Sequence, residues 1–212
     1  MDFSNYLKIK HQIPSNVNLL AVSKGFESQK IKDINSLGQN DFGESKYQES
    51  YQKQLILKDH KELKWHFIGR IQSNKIRKIV NHFKYIHSVD TFEILEKISR
   101  ASFEEKKKPK IMLQVKFSED PTKGGFEPKY LLEKWGEIKE LKYLDIKGLM
   151  TINPKGLGST ENFQLFKECR SFADYLELQD CSMGMSGDWE EAVKAGSTWI
   201  RLGSIIFGNR KY

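Results

Sequence analysis

One lysine stands where chemistry is possible, at the end of the short apolar run Leu19-Leu20-Ala21-Val22-Ser23-Lys24-Gly25. Four apolar residues closed by a turn signal read as a strand buried on both faces, which would hold Lys24 rigidly at its C-terminal end. In barrels and open sheets of parallel strands, ligands bind at that end because the loops that follow the strands converge there. Desolvation at such a place strips a lysine of its proton and makes it an imine-forming amine, as in Schiff-base lysines. An ordinary solvated lysine is the competing reading, and the run alone does not decide between them.

Two segments further along carry a different chemistry. Ser182-Met183-Gly184-Met185-Ser186-Gly187-Asp188 and Arg201-Leu202-Gly203-Ser204-Ile205-Ile206-Phe207-Gly208 each combine glycine with a serine at a helix start. Glycine lets backbone N–H groups approach an anion, and the hydroxyl adds a donor. Taken singly, each is as readily a plain cap at Ser186 or a tight turn at Gly203. Taken together, after two successive strands, they point to a phosphate site opposite Lys24.

The elements that must position these residues alternate along the chain. Strand-like runs occur at residues 19–23, 41–43, 64–68, 85–89, 110–117, 146–152, 180–185 and 198–202. Between them lie helix-period stripes, such as Ile76, Ile79, Val80 and Phe83, or Phe92, Leu95 and Ile98 after a cap predicted at Asp90 with Glu93. Gly38 and Gly196 read as helix stops. Eight such units predict an α/β fold, a (β/α)₈ TIM-type barrel, with an open doubly wound sheet as the alternative. Little chain follows residue 202, so the amphipathic piece at residues 3–9 is expected to fill the gap left by a full eighth helix.

Composition bounds the function. The chain has 212 residues, 38% hydrophobic and 30% charged, as expected of one globular domain, 1–212. Lys+Arg 35 against Asp+Glu 28 leaves a net charge of +7, which favours anionic partners such as a phosphorylated small molecule or nucleic acid. The basic residues are dense only at Lys106-Lys107-Lys108 and from Arg70 to Lys78, and no nucleic-acid motif or aromatic platform accompanies them. Cys169 and Cys181 lack metal-site spacing, and Met1-Asp2-Phe3-Ser4 does not open a signal peptide, so a cytoplasmic protein with reduced thiols is expected. No apolar run reaches membrane-spanning length, and no metal ligand set is expected.

An imine-forming lysine and a phosphate cradle in one barrel suggest pyridoxal 5′-phosphate (PLP), and the chain resembles the PLP homeostasis protein family. The resemblance runs from about Leu19 to Arg210 in ordered blocks: Ala21-Val22-Ser23-Lys24, Phe42-Gly43-Glu44, Gln48-Glu49, Trp65-His66-Phe67-Ile68-Gly69 with Gln72 and Asn74-Lys75, His87-Ser88-Val89-Asp90, Lys123-Gly124-Gly125, Gly148-Leu149-Met150, Ser182 to Ser186 with Asp188, and Arg201 to Gly208. It implies the fold type III PLP-binding barrel of alanine racemase without the C-terminal β domain. It also implies Lys24 as the Schiff-base lysine, Ser186, Gly203 and Ser204 at the phosphate, and Arg201 against the pyridine nitrogen. A cation there weakens the ring as an electron sink.

Two positions depart from the family pattern: Ser45 replaces the usual Asn, and Ser204 replaces a frequent Thr. His66 and His87 read as satisfied polar groups without a fixed orienting partner. The expected function is a cytoplasmic PLP carrier or buffer in vitamin B6 homeostasis, a monomer without turnover or catalytic residues, whose partners include apo PLP-dependent enzymes. A PLP-dependent amino-acid racemase is the alternative, for which Lys24 would serve one face of the substrate and a second domain the other.

Overall fold

The computed structural model describes residues 4–120 and 123–208. Eight parallel strands close into a barrel in sequence order: β1 (Asn18–Val22), β2 (Asp41–Glu44), β3 (Lys64–Phe67), β4 (Tyr85–Val89), β5 (Lys110–Gln114), β6 (Asp145–Met150), β7 (Asp180–Ser182) and β8 (Trp199–Leu202). β1 pairs with β8 from Asn18↔Trp199 to Ala21↔Leu202, which shuts the ring. All eight strands expected from the sequence are present. Their C-terminal bounds fall short of those expected for β5, β6 and β7, where extended chain continues into loops after the ladder has ended.

The helices form the outer layer: α1 (Ser4–Gln12), α2 (Ser28–Asn35), α3 (Tyr47–Ile56), α4 (Ile76–His82), α5 (Phe92–Glu104), α6 (Pro128–Glu140), α7 (Ser159–Tyr175), α8 (Trp189–Lys194) and α9 (Ser204–Phe207). Among the described residues no helix is long and apolar enough to cross a membrane. α1 fills the expected gap, because Tyr6 and Ile9 are buried in one cluster with Trp189, Ile200, Leu202, Ile206 and Phe207. The α5 cap differs from the expectation at Asp90. The Thr91 hydroxyl accepts from the Ile94 amide at 3.2 Å, one residue later, because Thr91 has the extended backbone that a capping residue needs.

Strand alternation sorts the core in two. Outward-facing residues such as Leu19, Ala21, Ile86, Leu113, Leu149 and Ile200 pack under the helices. Leu20, Tyr85, Met112, Met150 and Trp199 form a separate cluster, with Ile68 and Ile152 packed against it. The barrel interior is not wholly apolar. His66, His87 and Ser182 are completely buried and Arg201 is 5% exposed, so the sequence threads a line of polar side chains through a place usually filled by branched aliphatics.

Candidate functional site

Lys24 lies two residues beyond the end of β1 and is half-buried, and both of its neighbours are clamped. The Ser23 hydroxyl donates to Glu44 Oε1 at 2.7 Å, and its amide donates to the Gly43 carbonyl at 3.0 Å. The Gly25 amide donates to Glu49 Oε1 at 2.5 Å. Lys53 ties the pieces together: its Nζ lies 2.8 Å from the Ser23 carbonyl and 2.7 Å from both Glu44 Oε1 and Glu49 Oε1. Burial pushes the Glu44 carboxyl up, against the lowering influence of Lys53 and Ser23. Burial also acts to raise Glu49, but its bonds to Lys53 and the Gly25 amide leave it below the ordinary value. The Lys24 side chain thus starts from a backbone fixed on either side by a buried ion-pair network. The Glu49–Lys53 spacing of four was visible in the sequence, although nothing there said that the pair would turn inward to grip β1.

The cavity above Lys24 occupies about 680 Å³ and is lined by all five residues singled out from the sequence: Lys24, Ser186, Arg201, Gly203 and Ser204. The Ser204 and Ser186 hydroxyls lie 3.3 Å apart, although 18 residues separate them in the chain. Two glycines shape this end. Gly184 has φ +88°, and a Cβ there would meet the Ala192 Cβ at 2.6 Å, so the turn out of β7 tolerates no side chain. At Gly203 a Cβ would press on the Val22 carbonyl at 3.3 Å, at the strand that leads into Lys24.

Arg201 is not the surface ion pair that its sequence context also allowed. Its Nη1 donates to the Ser182 carbonyl at 2.5 Å and to the Ser182 hydroxyl at 2.9 Å, and Nη2 donates to the Thr151 carbonyl at 2.8 Å. Burial pulls the guanidinium down to about 10, while nearby Asp188 acts to keep it charged. A group titrating near that value is still a cation at neutral pH.

Behind Arg201 the polar line continues. Ser182 Oγ is 3.0 Å from His87 Nδ1, His87 Nε2 is 2.9 Å from His66 Nδ1, and His66 Nε2 is 3.0 Å from Asp41 Oδ1. His66 also stacks flat on Tyr85, ring centroids 4.2 Å apart. Both histidines are therefore satisfied inside the barrel, as expected. The expectation that neither has a fixed orienting partner is corrected, because each has one on both sides. Those partners come from different strands and leave no trace in local spacing.

The sequence reading also passed over Lys155, which lines the same cavity from the loop after β6. Its signal was the Pro154-Lys155-Gly156 turn directly behind a strand. Ser45 is placed elsewhere, with Gln48, Arg70 and Gln72 around a neighbouring hollow. Within the basic stretch from Arg70 to Lys78, Arg77 is paired with Glu104 and Glu105, which breaks its continuity as a cationic face.

The family model for the alanine racemase N-terminal domain matches residues 3–211. The pyridoxal phosphate homeostasis protein of Synechocystis sp. is 42% identical over 213 aligned positions, 98% of each chain. That of Pseudomonas aeruginosa is 38% identical, over 94% of this chain and 87% of its own. The solved structure of PipY from Synechococcus elongatus with PLP bound superposes with a TM-score of 0.93 at 40% identity, covering 97% of this chain and 99% of PipY. An alanine racemase from Clostridium difficile shares the fold, with a TM-score of 0.79 at 14% identity, and this chain spans 59% of its length. Identity of this order over nearly the full length of both chains means that the chain belongs to the pyridoxal phosphate homeostasis protein family.

Proposed function

We propose that this protein binds PLP in the cavity above Lys24 and carries or buffers it, as one barrel unit, without turning over a substrate. The observation that carries the reading is the convergence of Lys24, Ser186, Arg201, Gly203 and Ser204, from the ends of three strands, on one cavity of about 680 Å³. When bound, the cofactor supplies an aldehyde that an amine attacks and a pyridine ring able to accept electrons.

The residues present fit such a group. The paired hydroxyls of Ser186 and Ser204 are donors for a phosphate dianion. Lys24 presents an amine from a fixed backbone. Arg201 spends both Nη1 hydrogens on Ser182 and one Nη2 hydrogen on Thr151, so Nε–H and the second Nη2 hydrogen are the donors it has left for a ring nitrogen. A buried cation in that place disfavours proton transfer to the ring, which is the ground for expecting a carrier instead of an enzyme. Lys155 gives the cavity a second amine, from an exposed position in the loop after β6.

The names of the curated relatives agree with a role in PLP homeostasis. A cytoplasmic monomer that passes PLP to apo-enzymes completes the reading. In support of the monomer, the exposed large apolar side chains Leu7, Ile56, Phe103, Leu132 and Tyr175 sit on five different helices. Light scattering of the purified protein measures that state directly.

The test begins with PLP-loaded protein treated with borohydride, which should fix the cofactor and place its mass on the peptide containing Lys24. Mass on Lys155 would refute the assignment of the amine. Loaded protein is then incubated with L-amino acids, while D-isomers and keto acids are followed by chiral chromatography. A parallel sample is mixed with an apo transaminase. Recovered transaminase activity without D-isomer formation is the expected result, and sustained turnover that vanishes in Lys24→Ala would establish the racemase-like alternative.

A further inference from the structure

The polar line behind Arg201 admits one arrangement of protons. A guanidinium can only donate, and a carboxylate can only accept. Asp41 as a carboxylate takes the Nε2–H of His66; a neutral His66 then accepts at Nδ1 from His87 Nε2–H, and a neutral His87 accepts at Nδ1 from the Ser182 hydroxyl, whose oxygen also accepts from Arg201 Nη1. Five side chains form a wire with one polarity. Its positive end lies at the cavity and its negative end at the opposite mouth of the barrel, where Asp41 also meets Lys64 at 3.7 Å. Its interior is neutral, in keeping with burial that lowers the basicity of both imidazoles.

Such a wire does not conduct protons, because the guanidinium at its head does not release one at neutral pH. What it does is fix orientation. Any reversal of one histidine would set N–H against N–H, or lone pair against lone pair, at two fully buried rings. Tyr85, stacked on His66, and Trp199, with its ring centroid 5.0 Å from that of His66, leave the imidazole no room to turn. We propose that Asp41, His66 and His87 are positioning residues for Arg201, a remote carboxylate setting through two tautomers the direction in which the cation faces the ligand cavity. The ligand side of this inference rests on the PLP reading, whereas the polarity of the wire belongs to the chain itself.

The test uses the full chain, first free of cofactor. Histidine-selective ¹⁵N NMR should show both His66 and His87 neutral and protonated on Nε2; a proton on Nδ1 of either, or a mixture, would overturn the wire. Asp41→Leu removes the terminal acceptor and Asp41→Asn keeps an acceptor oxygen. Exchange of the Arg201 guanidinium hydrogens should therefore accelerate by about tenfold or more in Asp41→Leu and stay close to wild type in Asp41→Asn. A purely structural role for Asp41 would make the two variants alike, and equal exchange in both would refute positioning. In PLP titrations Asp41→Leu should bind about threefold to tenfold more weakly, and Asp41→Asn should be restored. Unchanged affinity in Asp41→Leu would show that the wire does not serve the ligand. Borohydride labelling of Lys24 in the wild type reports separately on the PLP reading: if it fails, the tautomer and exchange results still decide the wire.

Discussion

At the level of single residues, the two serines allow the proposed phosphate contact to be tested apart from the rest of the ligand. Replacing Ser186 and Ser204 together by Ala removes two hydroxyls that would donate to a phosphate dianion, each charge-assisted bond contributing about 1.5–3 kcal/mol. Titrations should show a large loss of affinity for PLP and a small one for pyridoxal, which has no phosphate; equal losses would mean that the pair serves another purpose. That Lys24, Ser186, Gly203 and Ser204 line one cavity was legible in the sequence because each lies in the loop that follows a strand, within four residues of its end for Ser186 and closer for the others. Asp41, His66 and His87 were not legible as a unit. Each occupies an inward position on its own strand, and only closure of the barrel brings β2, β3, β4, β7 and β8 side chains into one line.

Among the elements, β1 depends on α3 more than strand pairing alone requires. Lys53→Met would leave Glu44 buried without its cation, and Glu44 Oε2 already has no hydrogen-bond partner among the described residues. Breaking such a pair should cost about 3–5 kcal/mol in urea unfolding, and Glu44→Gln added to Lys53→Met should recover part of it. The junction of β7 and α8 is set by Gly184, where Ala would combine a left-handed backbone with a 2.6 Å contact to the Ala192 Cβ. We expect about 2–5 kcal/mol of destabilisation, measured the same way. Pattern placed the eight strands and the helices from α1 to α8, because a two-face or one-face burial pattern is written locally; α9 was marked only by the serine that opens it. It missed where β5, β6 and β7 stop, since a ladder ends where its neighbour ends.

For the molecule as a whole, buried neutral histidines make acid a denaturant. In the unfolded chain His66 and His87 titrate near 6.5, and in the barrel burial lowers both, His87 well below that value with a further push from His66 and Arg201. His82, lowered by burial and by Lys107, acts in the same direction. Below pH 6.5 the unfolded state takes up protons that the folded state refuses, so stability is full above that pH and declines as pH falls toward the folded values. Each barrel histidine that stays neutral in the fold while its unfolded counterpart is charged contributes up to about 1.4 kcal/mol per pH unit, seen as a urea midpoint that falls as pH drops below about 6.5. A midpoint that does not move over this range would mean that the imidazoles accept protons in place. Lastly, the seam between β1 and β8 joins Asn18–Ala21 to Trp199–Leu202. On the ribosome, the strand that leads into Lys24 emerges first of the eight and its second neighbour last. Until then Leu20 and its ladder form an open edge, so the lysine pocket closes only once β8 has been made.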